Sequence, residues 1–223
     1  MFQRLPLLLA LGTILAAGAS AQDGARLGRI EGDSYVSPTG EFKIPVPVLP
    51  ELGGAVHDTE NVVTFTDNFN THISIACFPL DSSQKWELET RGLRDYLLFF
   101  FTDVVLADFQ RRFPGASIES ARFLPELVDG ALITYALLPG GSFFEKNTSL
   151  VEGAPATPPT AKRGTLLFVR NRHIFILTTE LAERVTQRST YNQSVEAENN
   201  LLSSRLTGLA GRLVFPPAKT RAP

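Results

Sequence analysis

The chain has 223 residues, 43% of them apolar and 20% charged, and its 21 Lys and Arg against 23 Asp and Glu leave a formal charge of −2. That composition fits a single globular domain with a sizeable core and excludes a disordered, collagen-like or membrane-embedded chain. The scattered, near-balanced charge excludes the basic field that nucleic acid requires, and a lone cysteine, Cys77, excludes an intramolecular disulfide.

Residues 1–21 read as an export signal. Arg4 precedes an apolar run over residues 5–17, and Ala19-Ser20-Ala21 forms a small-residue cleavage pattern, which predicts cutting before Gln22 and a periplasmic or secreted protein. No cysteine follows the run to carry a lipid anchor, and no later stretch is long enough to span a membrane. Residues 22–33, Gly-rich and polar, are expected to be a flexible leader. One domain is expected over residues 34–215, followed by a C-terminal tail at 216–223.

Tyr35-Val36 and Phe42-Lys43-Ile44 flank Ser37-Pro38-Thr39-Gly40, a small hairpin around a turn suited to Pro and Gly. Residues 62–66 and 72–78 form a second hairpin closed by Asp67-Asn68-Phe69-Asn70. Cys77 alternates with Ile73 and Ile75 on one strand face, as a buried, inert thiol does. The cap-forming run Asp81-Ser82-Ser83, with no proline until Pro114, predicts one long helix over much of residues 84–112. Leu93, Leu97, Phe100, Phe101, Val104 and Val105 form its main apolar face. Asp103 falls on the least apolar strip, with Gly92, Tyr96, Ala107 and Gln110, where a solvated carboxylate is the expectation. Strands at 116–124 and 131–138 turn over Asp129-Gly130, and a long Pro-rich loop is expected at 139–163. Residues 164–169 and 173–179 form the clearest hairpin; both strands are apolar on both faces, which places them centrally in a sheet covered on each side. A last helix is predicted from about residue 190 to 210.

Antiparallel hairpins joined by two long helices make an α+β chain, an α/β/α sandwich. The succession Tyr35…Gly40-Glu41-Phe42…Pro45, Val63-Thr64-Phe65, His72-Ile73-Ser74-Ile75, a long helix and the closing pair Gly164-Thr165-Leu166-Leu167-Phe168 and Ile174-Phe175-Ile176-Leu177-Thr178 resembles the PsbP-like fold in element order and apolar pattern over residues 34–215. The resemblance implies a protein-interaction module, since the superfamily includes a photosystem subunit and a binder of a nuclear-transport GTPase. It carries over no functional residue.

Known catalytic spacings are not found. His57, His72 and His173 are not at ligand spacing, and no metal or cofactor is expected. His72 and His173 each begin a predicted strand and read as sheet-edge residues. Asp67-Asn68-Phe69-Asn70 lacks the glycine and distal glutamate of a calcium loop, and Ser82-Ser83-Gln84-Lys85 reads as a helix start rather than a nucleophile with its lysine. The candidate partner-binding residues are Phe143 and Phe144, adjacent rings in the long loop. Either one faces a partner or an apolar ligand, or the loop tucks both over the long helix. The resulting expectation is an exported, non-enzymatic module that binds another envelope or secreted protein; the alternative is a carrier or enzyme for an apolar small molecule held between sheet and helix.

Overall fold

Two strands with apolar side chains on both faces occupy the middle of the molecule. They are β9 (Thr160–Arg170) and β10 (His173–Glu180) in a computed structural model that describes residues 27–144, 159–187 and 190–217. The connecting Asn171 and Arg172 both take positive φ, 48° and 63°, the turn geometry that matches the twist of a tight hairpin. Around this pair an all-antiparallel sheet of seven strands is built in the order β4-β5-β6-β10-β9-β8-β7, with β4 at Ala55–Asp58, β5 at Val62–Thr66, β6 at His72–Pro79, β7 at Ser117–Leu124 and β8 at Ala131–Pro139. A second sheet joins β1 (Arg29–Glu31), β2 (Ser34–Val36) and β3 (Lys43–Pro45).

Strand alternation sends the core to both sides. Val62, Ala76, Phe78, Leu167, Ile174 and Ile176 meet the long helical segment. Val63, Phe65, Ile75, Cys77, Leu166, Phe168, Phe175 and Leu177 meet the small sheet and the last helix, α5 (Val195–Ala210). The last helix comes so close to β9 that a Cβ at Gly164 would lie 2.9 Å from the Leu206 side chain and 3.2 Å from Leu202 Cβ, so a larger residue there would have to displace side chains of the helix. The α+β sandwich expected from the hairpin pattern is thus the architecture observed.

Several elements differ from the expectation. Arg29–Glu31, in the segment read as leader, pairs with β2, and the amides of Leu27 and Gly28 donate to Asp58 at 3.0 and 2.6 Å. Ala55–Asp58 adds an edge strand. The helix predicted over residues 84–112 is broken: α1 (Ser82–Arg91) ends at Gly92, whose φ of 78° and ψ of 163° suit glycine alone. From there α2 (Leu93–Phe100) runs through a wide π turn at Phe101–Leu106 into α3 (Ala107–Arg112). Tyr96 and Asp103, seven residues apart, would share a face of a regular helix; the wide turn leaves Tyr96 fully buried and Asp103 exposed. Asp103 is solvated as expected, but Tyr96 does not share its strip. The strand β9 begins at Thr160, inside the stretch read as loop, and a short helix, α4 (Ala182–Thr186), follows β10. Val214 pairs with Lys43 through hydrogen bonds of 2.9 and 2.8 Å, which fastens the stretch just after α5 to the small sheet.

Candidate functional site

The start of β6 and the end of β10 lie side by side at one end of the large sheet, and each face of that end carries a recess. On the face toward the π turn, His72, Glu180 and Arg163 project from β6, β10 and β9. Arg163 is almost fully buried, and its Nε lies 3.4 Å from Glu180 Oε2, while a second guanidinium nitrogen donates to the Gly141 carbonyl. Glu180 also accepts from the Ser142 hydroxyl at 2.5 Å and from the Phe143 amide at 3.1 Å. Burial pushes the Glu180 carboxyl up from its ordinary value, opposed by Arg163 and these hydrogen bonds. Burial also lowers Arg163, to about 10, against the pull of Glu180, so the guanidinium stays charged at neutral pH.

Phe143 completes this cluster. Its ring stacks on His72 with centroids 3.5 Å apart and planes 5° from parallel, and the Arg163 guanidinium carbon is 3.8 Å from its centroid. Burial, assisted by the Arg163 charge, lowers His72 to about 3, which keeps the imidazole neutral. Beneath the stack runs a row of hydroxyls in register across five strands: Thr64, Ser74, Thr178, Thr165 and Thr134. A recess of about 50 Å³ opens on Ser74 and Thr178 of this row, closed by Phe143, Val105 and Phe109. That is room for a few waters, far below the roughly 300–1,000 Å³ of small-molecule sites.

The structure therefore places the two candidate rings in different roles. Phe144 is buried against Ala182 and Val185 of α4, an element the sequence reading missed, and does not lie over the long helix. Phe143 is half-buried in the stack. His72 and His173 do not meet, because the antiparallel pairing of β6 with β10 puts them at opposite ends; His173 Nδ1 instead lies 2.9 Å from the Asn171 carbonyl oxygen and 3.6 Å from Glu41. The Ser82–Lys85 run is a helix start: Asp81 Oδ1 accepts from the Gln84 amide at 2.8 Å and Gln84 Oε1 from the Asp81 amide at 3.0 Å.

On the opposite face of the same sheet end, toward α5, a larger cleft of about 210 Å³ is lined by Asn70, Thr71, Ile73, Arg205, Leu209 and Arg212, among others. Beside it the β5–β6 turn is held rigid by Asp67, whose Oδ1 accepts from the amides of Phe69, Asn70 and Thr71, each at 2.9 Å. Burial raises the Asp67 pKa, but these bonds outweigh it and the net shift is downward. The turn abuts the 3₁₀ turn Pro50–Leu52, where the Asn68 amide donates to the Leu52 carbonyl at 3.2 Å. Phe69, Leu49 and Leu52 project outward from these two turns with 58%, 53% and 40% of their surfaces exposed.

Among the described residues no group of three or more His, Cys, Asp and Glu is placed to hold a metal ion, and no helix is long and apolar enough to cross a membrane. No family model matches the chain, and no curated protein is similar to it. Several solved structures are similar in fold, among them the two that follow. The cyanobacterial PsbP (CyanoP) of Synechocystis sp. PCC 6803 is 13% identical, over 90% of this chain and 99% of that one, with a TM-score of 0.49. The Ran-binding protein Mog1p of Saccharomyces cerevisiae is 9% identical, over 84% and 96%, also with a TM-score of 0.49. The likeness is one of fold alone.

Proposed function

We propose that the chain is an exported, non-enzymatic protein-interaction module of the cell envelope or secretion pathway, and that it docks its partner at the end of the sheet formed by the β5–β6 turn and the adjoining 3₁₀ turn. The observation that carries this reading is the exposure of Leu49, Leu52 and Phe69 together on two turns whose backbones are fixed by hydrogen bonds. Large apolar side chains on a rigid tip keep little entropy to lose on docking and gain by burial. Phe143, half-buried at the same sheet end, is the ring of the candidate pair left to touch a partner; Phe144 is taken up by packing. The narrow recess between sheet and helical segment does not favour a carrier of an apolar molecule. The A-x-A pattern before Gln22 supports export.

Native mass spectrometry of the protein isolated from its own compartment tests the reading, with the double substitution Leu52→Ser, Phe69→Ser as its companion. A second protein of fixed mass is expected on the wild type and not on the variant, at an unchanged Tm. A partner held equally by both would remove the tip from the interface, and a bound small molecule in place of a protein would overturn the function.

A further inference from the structure

The charged residues that line the cleft facing α5 are of one sign. Among the described residues its wall carries Arg205 and Arg212 and no carboxylate, in a chain whose overall charge is −2. Arg205 bonds Glu183 of α4 through its two terminal nitrogens at 3.3 and 2.5 Å, which leaves its Nε–H uncommitted to that pair. Arg212 is exposed and forms no ion pair with any carboxylate among the described residues. Ile73, Leu206, Leu209 and Pro47 supply an apolar floor, and Asn70, Thr71 and Thr179 add neutral hydrogen-bonding groups. Arginine forks beside an apolar floor recognise a carboxylate that stands next to a large apolar side chain.

The size and position of the cleft indicate where such a carboxylate comes from. About 210 Å³ takes a side chain or two but not a cofactor. The cleft also opens beside the exposed tip: Asn70 and Thr71 follow Phe69 in the Asp67-held turn, and Pro47 lies two residues before Leu49. We infer that the cleft receives an acidic segment of the partner protein, an Asp or Glu on Arg212 and Arg205 with a neighbouring large apolar side chain on Leu206 and Leu209, while Leu49, Leu52 and Phe69 grip the flanking surface. The inference rests on the interaction-module reading and specifies the partner's chemistry.

Panning a random linear heptapeptide library on the purified protein tests it, followed by affinity measurement with the enriched sequences as synthetic peptides. Enriched peptides carry Asp or Glu within two positions of Leu, Ile or Phe. Their affinity falls at least about tenfold on Arg212→Glu and less on Arg212→Gln, and is unchanged by Arg122→Glu on the exposed far-edge strand β7. Peptides without acidic preference, or acidic peptides that bind Arg212→Glu as well as wild type, overturn the inference. Peptides lost on Phe69→Ser yet indifferent to Arg212→Glu overturn it too, but leave the docking tip standing. Failure to enrich any peptide, where native mass spectrometry still finds a partner lost with the tip variant, removes the cleft alone.

Discussion

Lys162 and Arg163 are neighbours on β9, point to opposite faces of the sheet, and are both almost fully buried. Lys162 turns toward α5, where its Nζ lies 2.9 Å from Glu198 and 2.5 Å from Glu119; Arg163 turns toward the π turn and Glu180. Lys162 thus ties α5 to the central strand, while Arg163 ties that strand to Glu180 of β10 and to the Gly141 carbonyl after β8. Glu198 is shared with Arg184 of α4 at 2.9 Å, and burial raises its carboxyl less than these cations and Tyr191 lower it, so its net pKa falls.

Removing one member of such a network leaves the others charged and dry. Lys162→Met is expected to cost about 3–5 kcal/mol of stability in urea unfolding, since Glu119 loses its cation and Glu198 keeps only Arg184. The double variant Lys162→Met, Glu198→Leu should recover part of that loss, because the uncompensated charge goes with its partner. A single variant as stable as wild type would show that Glu119 and Glu198 reach water.

His72 gives the protein an acid-side weakness. Folded, the imidazole takes a proton only near pH 3, while unfolded it takes one near 6.5. Between those values the unfolded chain binds more protons, so this contribution to stability is full above about pH 6.5 and is lost as pH falls toward 3. Glu180, with its raised carboxyl, acts with opposite sign above its ordinary 4.5, and Arg163 stays charged throughout. His72→Phe keeps a ring against Phe143 and removes the titration. Stability measured from about pH 7 to about pH 4 should therefore fall more steeply for wild type than for His72→Phe; parallel curves would show that the folded imidazole is protonated freely.

How much of this was legible depends on how each segment announces itself. The hairpins of β5–β6 and β9–β10 are runs of β-branched and aromatic residues around strong turn residues, and they were readable. Ala55–Asp58 is short and half polar, and Arg29–Glu31 is exposed on every residue, so neither has an apolar period to find. Lys162 and Arg163 look like a solvated loop, and burial of both is set by carboxylates from other elements, which no local pattern records. One part of the site was nonetheless within reach. Counting back along both strands from the Asn171-Arg172 turn puts Glu180 opposite Arg163 and Thr178 opposite Thr165, so extending the predicted hairpin by a few residues would have exposed the buried ion pair. Phe143 stacked on His72 depends on how the loop after β8 folds back, and the sequence carries no rule for that.

Gly92 is a hinge fixed by backbone geometry alone. A Cβ there would meet nothing within 4 Å, but the φ of 78° with ψ of 163° is one that L side chains avoid. Gly92→Ala is expected to lose about 1–3 kcal/mol without any steric clash, or to straighten the junction between α1 and α2 and expose Leu93 and Leu97. Thermal unfolding and helical circular dichroism separate the two: a lower Tm at constant helicity indicates strain, while a gain in helicity indicates a fused helix. An unchanged Tm and spectrum would mean that the angle is not held in solution.

Phe143 and Phe144 are adjacent in sequence but do different work, and alanine substitutions should separate them. Phe144 fills a satellite core with Ala182 and Val185, so Phe144→Ala is expected to cost about 3 kcal/mol and to loosen α4 from the sheet. Phe143→Ala removes a half-buried ring, with a smaller effect on stability and a larger one on its neighbours. Water then reaches His72 and Arg163, and the imidazole pKa climbs from about 3 toward its ordinary 6.5. Proton NMR of the His72 ring as a function of pH, in wild type and variant, reads this directly. A His72 titration unchanged in Phe143→Ala would mean that the strands, and not the ring, keep the imidazole dry.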